Sequence, residues 1–303
     1  MPALPDETGT IGLIVERRHL ETRALVDLRA SLAAAGWRLD VVVPDAESVY
    51  GIPADPPPWD LAMSRGRDLA GLGILATAAA AGIPALNSPT AIELVRNKVA
   101  MHATLLRHGL PVPATWFARR PSVFERLDDG VFPLVVKPFD GDGSAGISLL
   151  ERPEDARLIV APEDDRRLFV AQTLLETGGV DLKLYGIGRQ IWAVRKPSPV
   201  AFDGPGPARP AAPGPSKLIE LDDATRELAI TCGRAFGLEL FGVDVADTQR
   251  GPMVIEVNDF PTYSAVPGAG EALAGHALRT ARLHRFYRSV GRDRLRSLVR
   301  GAD

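Results

Sequence analysis

The pattern of apolar and polar residues along this 303-residue chain changes character near residue 110. Before that point, short apolar strands such as 11–15 alternate with helical patterns such as 20–35, which Gly36 closes. Strands that alternate with helices are typical of a parallel sheet covered by helices. We therefore predict a small α/β domain over residues 1–88.

Arginines follow the predicted strands of this domain at their carboxyl ends. Arg17 and Arg18 come after the strand 11–15, and Arg65 follows the short strand in WDLAMSRG. The carboxyl edge of an open α/β sheet is where ligands bind, and a guanidinium group pairs well with carboxylate or phosphate. These three arginines are predicted to hold an acidic acceptor substrate. Solvated charges at strand ends are the alternative interpretation.

Beyond residue 110 the patterns favour antiparallel strands. A helix is expected over 90–108, followed by strands in FPLVVKP, ISLLE, LFVAQ, VDLKLYGIG and QIWAVRK, the last two joined at Gly188. Residues 197–216 contain seven Pro and three Gly, which is typical of a mobile surface loop. A helix over 222–236, strands in LFGVDVA and PMVIEVN, and two arginine-rich helices complete the predicted elements.

Composition narrows the kind of function. The chain is 46% apolar and 24% charged with a net charge of −3, which favours a small-molecule site over a nucleic-acid or membrane surface. Cys232 is the only cysteine, which excludes an intrachain disulfide or a cysteine-cluster metal site and fits a reducing cytoplasm. The first ten residues lack the pattern of a signal peptide, so export is not predicted.

Lysine is rare in this chain and confined to its middle. The chain has 35 Lys and Arg residues together, and only five of them are lysines. All five lie between residues 98 and 217. A compact ammonium group on a flexible stem serves sites where a planar guanidinium does not fit. The retained lysines are therefore candidates for a functional role.

Two segments carry side chains expected to bind phosphate and metal. In FPLVVKPFDGDGSAG an apolar strand delivers Lys137, and a glycine-rich turn follows whose backbone N–H groups can approach an anion. In LFGVDVADTQRGPMVIEVND, alternation places Glu256 and Asn258 on one face, and a hairpin partner bearing Asp244 would complete an all-oxygen set suited to Mg²⁺. One carboxylate capping a turn and another paired with an arginine are the alternative.

Two further strands carry cations and a possible heterocycle site. Lys183 projects from VDLKLYGIG, and Arg195 and Lys196 from QIWAVRK. Because adjacent residues face opposite sides of a strand, only one of Arg195 and Lys196 can share a cavity with Lys183. The strand end in LFVAQTLLETGG could offer backbone groups to a flat heterocycle, and core packing explains it equally well.

In this order, these features resemble the ATP-grasp superfamily over roughly residues 90–275. The segments VVKP, AQTLL, GGVDLKLYGIG, GVDV and IEVND are similar to the ribosomal-protein glutamate ligases, a carboxylate–amine ligase group. VVKPFDGDGSA, DLKLYGIG, VRKPSP and NDFPTY are also similar to the inositol-trisphosphate kinases. The resemblance implies an α/β N-terminal domain followed by an α+β ATP-grasp fold over 89–303, with two lobes whose antiparallel sheets clasp ATP and a hinge near 173–175.

The resemblance also implies roles for individual residues. Phosphate contacts would come from Lys98 and Lys137, and from a loop that includes Gly141, Gly143, Ser144, Ala145 and Gly146. The adenine end would be formed by Gln172, Thr173, Leu174 and Leu175. The catalytic residues at the γ-phosphate and the acceptor would be Lys183 with Arg195 or Lys196. Two Mg²⁺ ions, or Mn²⁺ in their place, would be ligated by Asp244, Glu256 and Asn258.

The implied function is that of a Mg-ATP-dependent carboxylate–amine ligase that works through an acyl phosphate. Its partners would be small-molecule or peptide carboxylates and amines, with no nucleic acid and no membrane. A kinase that phosphorylates a hydroxyl of a small polyol or inositol phosphate is one alternative, and a non-catalytic nucleotide-binding module is another. Acceptor identity and oligomeric state are left open by the sequence.

Overall fold

The computed structural model of the protein describes residues 8–52, 56–141, 145–160, 167–212 and 214–300, with side chains described up to residue 288. Among these residues, no helix is both long and apolar enough to span a bilayer. The described residues form four sheets: one parallel sheet near the N-terminus, two antiparallel sheets of five strands each, and one small sheet of two strands.

A four-stranded parallel sheet forms the N-terminal domain, as the sequence predicts. Its spatial order is β2-β1-β3-β4, with β1 (Thr10–Val15), β2 (Arg38–Val42), β3 (Leu61–Arg65) and β4 (Ala85–Leu86). Helices α1 (Arg23–Ala34) and α2 (Leu69–Ala80) cover opposite faces of the sheet. Leu28 of α1 belongs to the core that contains Leu13, whereas Leu75 of α2 belongs to the core that contains Ile14. β1 is therefore almost wholly buried, which explains its unbroken apolar sequence.

A break at Asn97 divides the predicted helix 90–108 into α3 (Pro89–Arg96) and α4 (Lys98–Arg107). The backbone of Asn97 is extended, with ψ of 95°, and its side-chain oxygen accepts the N–H of Ala100 at 3.0 Å. This is the geometry of a helix N-cap. Lys98 consequently occupies the first turn of a new helix.

The first antiparallel sheet has the order β12-β7-β6-β8-β5. Its strands are β5 (Thr115–Ala118), β6 (Leu134–Pro138), β7 (Ser148–Leu150), β8 (Phe169–Thr173) and, contributed from much later in the chain, β12 (Gly206–Pro207). Leu134 and Phe169 pack with Phe124 in a small core beneath this sheet.

The second antiparallel sheet has the order β14-β10-β9-β15-β16. Its strands are β9 (Val180–Ile187), β10 (Gln190–Pro197), β14 (Lys217–Ile219), β15 (Leu240–Thr248) and β16 (Gly251–Asp259). One face packs on α4 and on α5 (Asp223–Phe236), with Leu184, Val243 and Cys232 in the shared core. Because successive side chains of a strand point to opposite faces, the residues next to these apolar ones lie on the other face, which holds the polar side chains.

The proline-rich segment after β10 joins the two sheets. We call residues 198–212 the strap. In it, β11 (Val200–Ala201) pairs with β13 (Arg209–Pro210), while β12 pairs with β7 of the other sheet. The N–H of Ala208 donates to the carbonyl of Ile147 at 2.8 Å. The predicted surface loop thus contains three short strands and bridges the sheets.

The last helix, α6 (Ala269–Arg300), packs against α1 of the N-terminal domain. It is one helix where the sequence predicts two. Gly270 permits a close approach, because an added Cβ would lie 2.3 Å from the Cβ of Asp27. Leu273 and Ala277 are fully buried in the same core as Leu28. The last helix of the predicted unit 89–303 therefore shares a core both with the first domain and with the second antiparallel sheet.

Candidate active site

A cavity of about 680 Å³ lies between the two antiparallel sheets, and we call it the central cavity. Strands of both sheets form its walls, and the strap contributes Ser198, Val200 and Phe202. The predicted site residues that line it are Lys98, Lys137, Gly141, Ala145, Gln172, Thr173, Leu174, Leu175, Lys183, Lys196, Asp244, Glu256 and Asn258. Residues predicted from distant segments are thus brought to one place.

Glu256 is held by two buried lysines. Nζ of Lys98, at the start of α4, donates to Oε1 at 2.7 Å, and Nζ of Lys137, on β6 of the other sheet, lies 3.8 Å from Oε2. Burial raises the pKa of Glu256, but the charges of Lys137 and Lys98 outweigh it and lower the pKa to about 2. Burial lowers the pKa of Lys137, and Glu256 opposes that change. The cluster links the two sheets electrostatically across the cavity.

Asp244 is the centre of a second charged cluster. In the sheet it lies opposite Glu256 on β16 and opposite Lys183 on β9. Its carboxylate lies 3.0 Å from Nζ of Lys183 and 3.8 Å from Nζ of Lys196, and it accepts the amide of Asn258 at 2.9 Å. Burial lowers the pKa of Lys183, but the charge and hydrogen bond of Asp244, together with Tyr185 and Glu256, raise it above its usual value. Strand alternation therefore gathers these side chains on one face, as the sequence predicts.

Strand geometry separates Arg195 from Lys196. Lys196 pairs in register with Asp181 and lines the central cavity. The guanidinium of Arg195 instead bonds Asp247 at 2.9 Å, and both of those side chains are more than half exposed. The structure thus corrects the prediction of Arg195 as a catalytic residue, because adjacent residues of a strand face opposite sides.

The glycine-rich turn after β6 lies at the cavity wall through Gly141 and Ala145. Gly146 has a φ of +71°, and an added Cβ there would lie 2.8 Å from a proline ring carbon, so this position requires glycine. Gly143 and Ser144 lie outside the described residues. Phosphate binding by this turn stays a prediction.

The end of β8 supplies the segment predicted to bind adenine. The N–H groups of Thr173 and Leu174 donate to carbonyls just before β5 and β6, at 3.1 and 2.9 Å. Gln172 is buried, and its amide nitrogen lies 2.6 Å from Nε2 of His102. Thr173 and Leu174 therefore use their N–H groups within the protein, while the side chains of Leu174 and Leu175 contribute apolar surface next to the cavity.

A second cavity of about 350 Å³ adjoins the first, and we call it the adjoining cavity. The two share Arg67, Lys183, Lys196 and Asn258 in their linings. Further arginines give the adjoining cavity a positive character: Arg18, Arg65 and Arg96. Anionic ligands are therefore favoured next to the two charged clusters.

The three predicted substrate arginines differ in their positions. Arg65 lines the adjoining cavity but is buried, and its guanidinium donates to the carbonyl of Phe260 at 2.5 Å. Burial lowers the pKa of Arg65 to about 10. Arg18 lines the same cavity and pairs with Glu16 at 2.6 Å. Arg17 is exposed and does not line either of these two cavities, so its role as a substrate residue stays a prediction.

Sequence reasoning missed three charged residues of the adjoining cavity: Arg67, Arg96 and Asp259. Arg96 forms a bidentate ion pair with Asp259 at 3.1 and 2.8 Å and also donates to a carbonyl of the β3–α2 loop. The sequence did contain a weak signal for two of them, because each lies two residues from a predicted site residue: Arg96 from Lys98, and Arg67 from Arg65. No local pattern indicates a pair whose members are 163 positions apart.

The donor set fits the predicted divalent cation. Asp244, Glu256 and Asn258 present carboxylate and amide oxygens on one face of the β15–β16 hairpin, and Mg²⁺ prefers such ligands. Directly opposed side chains on adjacent strands have Cβ atoms about 4.5–5.5 Å apart. The described residues contain no cluster of three His, Cys, Asp or Glu side chains suited to a metal. Asp244, Glu256 and Asn258 are the residues that would hold such an ion.

Residues 95–269, more than half of the chain, match the family model described as the RimK-like ATP-grasp domain. The chain belongs to the RimK-like ATP-grasp family. This confirms the predicted resemblance to the glutamate ligase group.

Relatives of this family in other organisms carry glutamate ligase names. A probable alpha-L-glutamate ligase of Parasynechococcus marenigrum (strain WH8102) is 30% identical over 201 residues, covering 65% of this chain and 43% of that protein. A probable alpha-L-glutamate ligase 2 of Shewanella sp. (strain MR-4) is 29% identical over 220 residues, covering 70% of this chain and 73% of that protein. The chain thus spans less than half the length of the first relative.

Comparison with solved structures confirms the ATP-grasp fold. The ATP-grasp ligase PsnB, complexed with its minimal precursor, Mg and ADP, has a TM-score of 0.65 at 20% identity, covering 92% of this chain and 99% of that one. D-cycloserine synthetase DcsG has a TM-score of 0.68 at 18% identity, covering 90% of this chain and all of that one. The predicted fold class, an α/β domain followed by two lobes with antiparallel sheets, is confirmed.

Proposed function

We propose that this chain is a Mg-ATP-dependent carboxylate–amine ligase that acts through an acyl phosphate. One observation carries the proposal: the central cavity, with its lysines and carboxylates, shares Lys183, Lys196 and two further lining residues with the basic adjoining cavity. A triphosphate in the first and an anionic carboxylate in the second would meet beside Lys183 and Lys196. The names of the family relatives support the same activity.

The residues of the central cavity supply charge and position. Lys98 and Lys137 bind the phosphates of ATP, and Lys183 and Lys196 neutralise charge near the transferred phosphoryl group. Mg²⁺ held by Asp244, Glu256 and Asn258 would screen the phosphate oxygens and so favour attack on phosphorus. The PsnB structure that contains Mg and ADP supports this choice of ion. No nucleophilic side chain is required, because phosphoryl transfer depends mainly on positioning and electrostatics.

The reaction has two steps that balance in atoms and charge. A carboxylate oxygen of the substrate attacks the γ-phosphorus, and the bond to the β–γ bridging oxygen breaks, which gives an acyl phosphate and ADP. A neutral amine then attacks the acyl carbon, and inorganic phosphate leaves with the electron pair of the broken C–O bond. The amine nitrogen loses a proton, and an amide remains.

The adjoining cavity favours a substrate with more than one negative charge. Arg18, Arg65 and Arg96 surround a volume of about 350 Å³, enough for a small molecule or the end of a peptide. Two precedents indicate acceptors to test: the glutamate ligase names of the relatives and the precursor peptide in the PsnB complex. The cytoplasm, where ATP is abundant and a lone cysteine stays reduced, suits this reaction.

An acceptor screen tests the proposed function. Purified protein, ATP and Mg²⁺ are incubated with acidic amino acids and peptides ending in glutamate, alone and in pairs with an amine, and ADP release is followed. We expect ADP release that depends on both the carboxylate and the amine. Mass spectrometry should then show a product whose mass is the sum of the two substrates minus one water. A phosphomonoester that accumulates without amine would indicate a kinase. ATP binding without acceptor-dependent ADP would indicate a non-catalytic module.

A further inference from the structure

We propose that Arg67 is a catalytic residue that the N-terminal domain supplies to the phosphoryl-transfer site, where its guanidinium binds the transferred phosphoryl group. The inference rests on the proposed function for its chemistry. It adds a part in the transfer step to the acceptor-binding role proposed for the N-terminal domain.

The position of Arg67 is the first support. Its side chain is half-exposed and lines both the central and the adjoining cavity. The four lysines of the central cavity come from α4, β6, β9 and β10, whereas Arg67 comes from the loop after β3. Arg67 thus lies at the boundary that a transferred phosphoryl group must cross.

The backbone of this loop is fixed from two sides, which is the second support. The N–H groups of Arg67 and Asp68 both donate to Oε1 of Glu16, the second at 3.0 Å. From the opposite side, Arg96 donates to the carbonyl of Gly66. Gly66 has a φ of +147°, and an added Cβ would lie 2.6 Å from a carbon of Glu16, so glycine is required there. The Cα of Arg67 is therefore preorganised at the cavity boundary, as an electrostatic catalyst requires.

Two other arginines of the adjoining cavity make contacts that hold the protein together. Arg65 is buried and donates to the carbonyl of Phe260, and Arg96 is paired in bidentate fashion with Asp259. Those two therefore shape the cavity and hold its loops. A guanidinium at Arg67 has the planar fork that matches two oxygens of a phosphoryl group, as an ammonium group does not.

Binding of two nucleotides tests the proposal without any knowledge of the acceptor. The affinities of ADP and of AMPPNP, both with Mg²⁺, are measured for the wild type, Arg67→Ala and Arg67→Lys. Arg29→Ala, which changes an exposed arginine on α1, is the matched control. For Arg67→Ala we expect ADP affinity within about twofold of wild type and AMPPNP affinity reduced roughly tenfold or more, as for loss of a charged hydrogen bond. Arg67→Lys should recover part of this loss, and Arg29→Ala should change neither affinity.

Turnover gives a second measurement once an acceptor is found. Arg67→Ala should lower kcat by about 10²–10³-fold, the usual effect of losing one preorganised donor. Added guanidinium chloride at millimolar concentration should restore part of the activity of Arg67→Ala and none of that of Lys137→Ala. A role in folding alone would give no such rescue.

The outcomes separate this inference from the proposed function. An unchanged ratio of AMPPNP to ADP affinity in Arg67→Ala, including an equal loss of both, would overturn the assignment of Arg67 to the transferred phosphoryl group. A reduced ratio in a protein that shows no acceptor-dependent ADP release would support the assignment and refute the ligase function. Equal melting temperatures of the variants and the wild type would show that each is folded.

Discussion

Replacing Glu256 by glutamine removes the charge that two lysines share, and the cost depends on pH. The carboxylate lies 2.7 Å from Lys98 and 3.8 Å from Lys137, and both lysines are buried. Glutamine keeps the shape of the side chain and one acceptor oxygen. Glu256→Gln therefore isolates the charge, leaving two ammonium groups together without their counter-charge.

The pKa of Glu256 sets the size of the effect. A pKa of about 2 in place of the usual 4.5 corresponds to about 3 kcal/mol of stability at pH 7, since each pH unit is worth about 1.36 kcal/mol. Folding lowers this pKa, so the contribution is complete above pH 4.5 and is lost as the pH falls towards 2. Less than half of it remains at pH 3. Glu256→Gln should thus lower the melting temperature by roughly 6–12 °C at pH 7 and by much less at pH 3.

Thermal unfolding of the ligand-free protein between pH 7 and pH 3 measures this dependence. Glu227→Gln is the matched control, because the Glu227 side chain is 65% exposed and lies 3.7 Å from Arg234. A surface pair of this kind contributes less than about 1 kcal/mol. A difference between wild type and Glu256→Gln that stays constant from pH 7 to pH 3, or one no larger than that of Glu227→Gln, would refute the electrostatic account.

Four other results are expected. Glu256→Gln should bind ADP within a few-fold of wild type yet lose turnover, and wild-type turnover in that variant would remove Glu256 as a metal ligand. Lys137→Ala should weaken ATP binding by roughly tenfold or more in calorimetry, and unchanged affinity would place Lys137 away from the phosphates. Residues 197–216 should be protected from proteinase K only when nucleotide or substrate is bound, and equal cleavage in both states would exclude a lid. Tyr263→Phe should lower the free energy of unfolding by about 1–3 kcal/mol in urea titration, since the Tyr263 hydroxyl donates to the buried carbonyl of Gly186 at 2.7 Å, and an unchanged value would mean that the carbonyl finds another donor.

The polar face of the second sheet could be predicted from local sequence because strand periodicity is strict. In LFGVDVA and IEVN every second residue shares a face, so Asp244, Glu256 and Asn258 had to lie together once the two strands paired. The same rule left one choice open, between Arg195 and Lys196. Only the tertiary position of the sheet shows which of its faces borders the cavity.

Features that depend on distant contacts could not be predicted. Arg65 follows a strand in the expected place, yet its guanidinium is bound by a carbonyl nearly two hundred residues away, while Arg67 reaches both cavities. The residues on both sides of Asn97 have a helical pattern, so periodicity alone predicts one continuous helix there. The break depends on Asn97 acting as the N-cap of α4. The pairing of the strap with β7 joins segments whose sequences carry few strand signals.

The packing of α6 on α1 has a consequence for how the protein is made. Leu32 and Leu273 belong to one core, and 273 − 32 = 241 residues of translation separate them. At about 5–20 residues per second, a ribosome takes on the order of tens of seconds to cover that distance. Throughout that interval the apolar side of α1 lacks its final cover, and the strands of both lobes are synthesised before Leu273 is reached. The core that joins α1 to Tyr185 and Ile187 of the second antiparallel sheet can therefore be completed only after α6 has been synthesised.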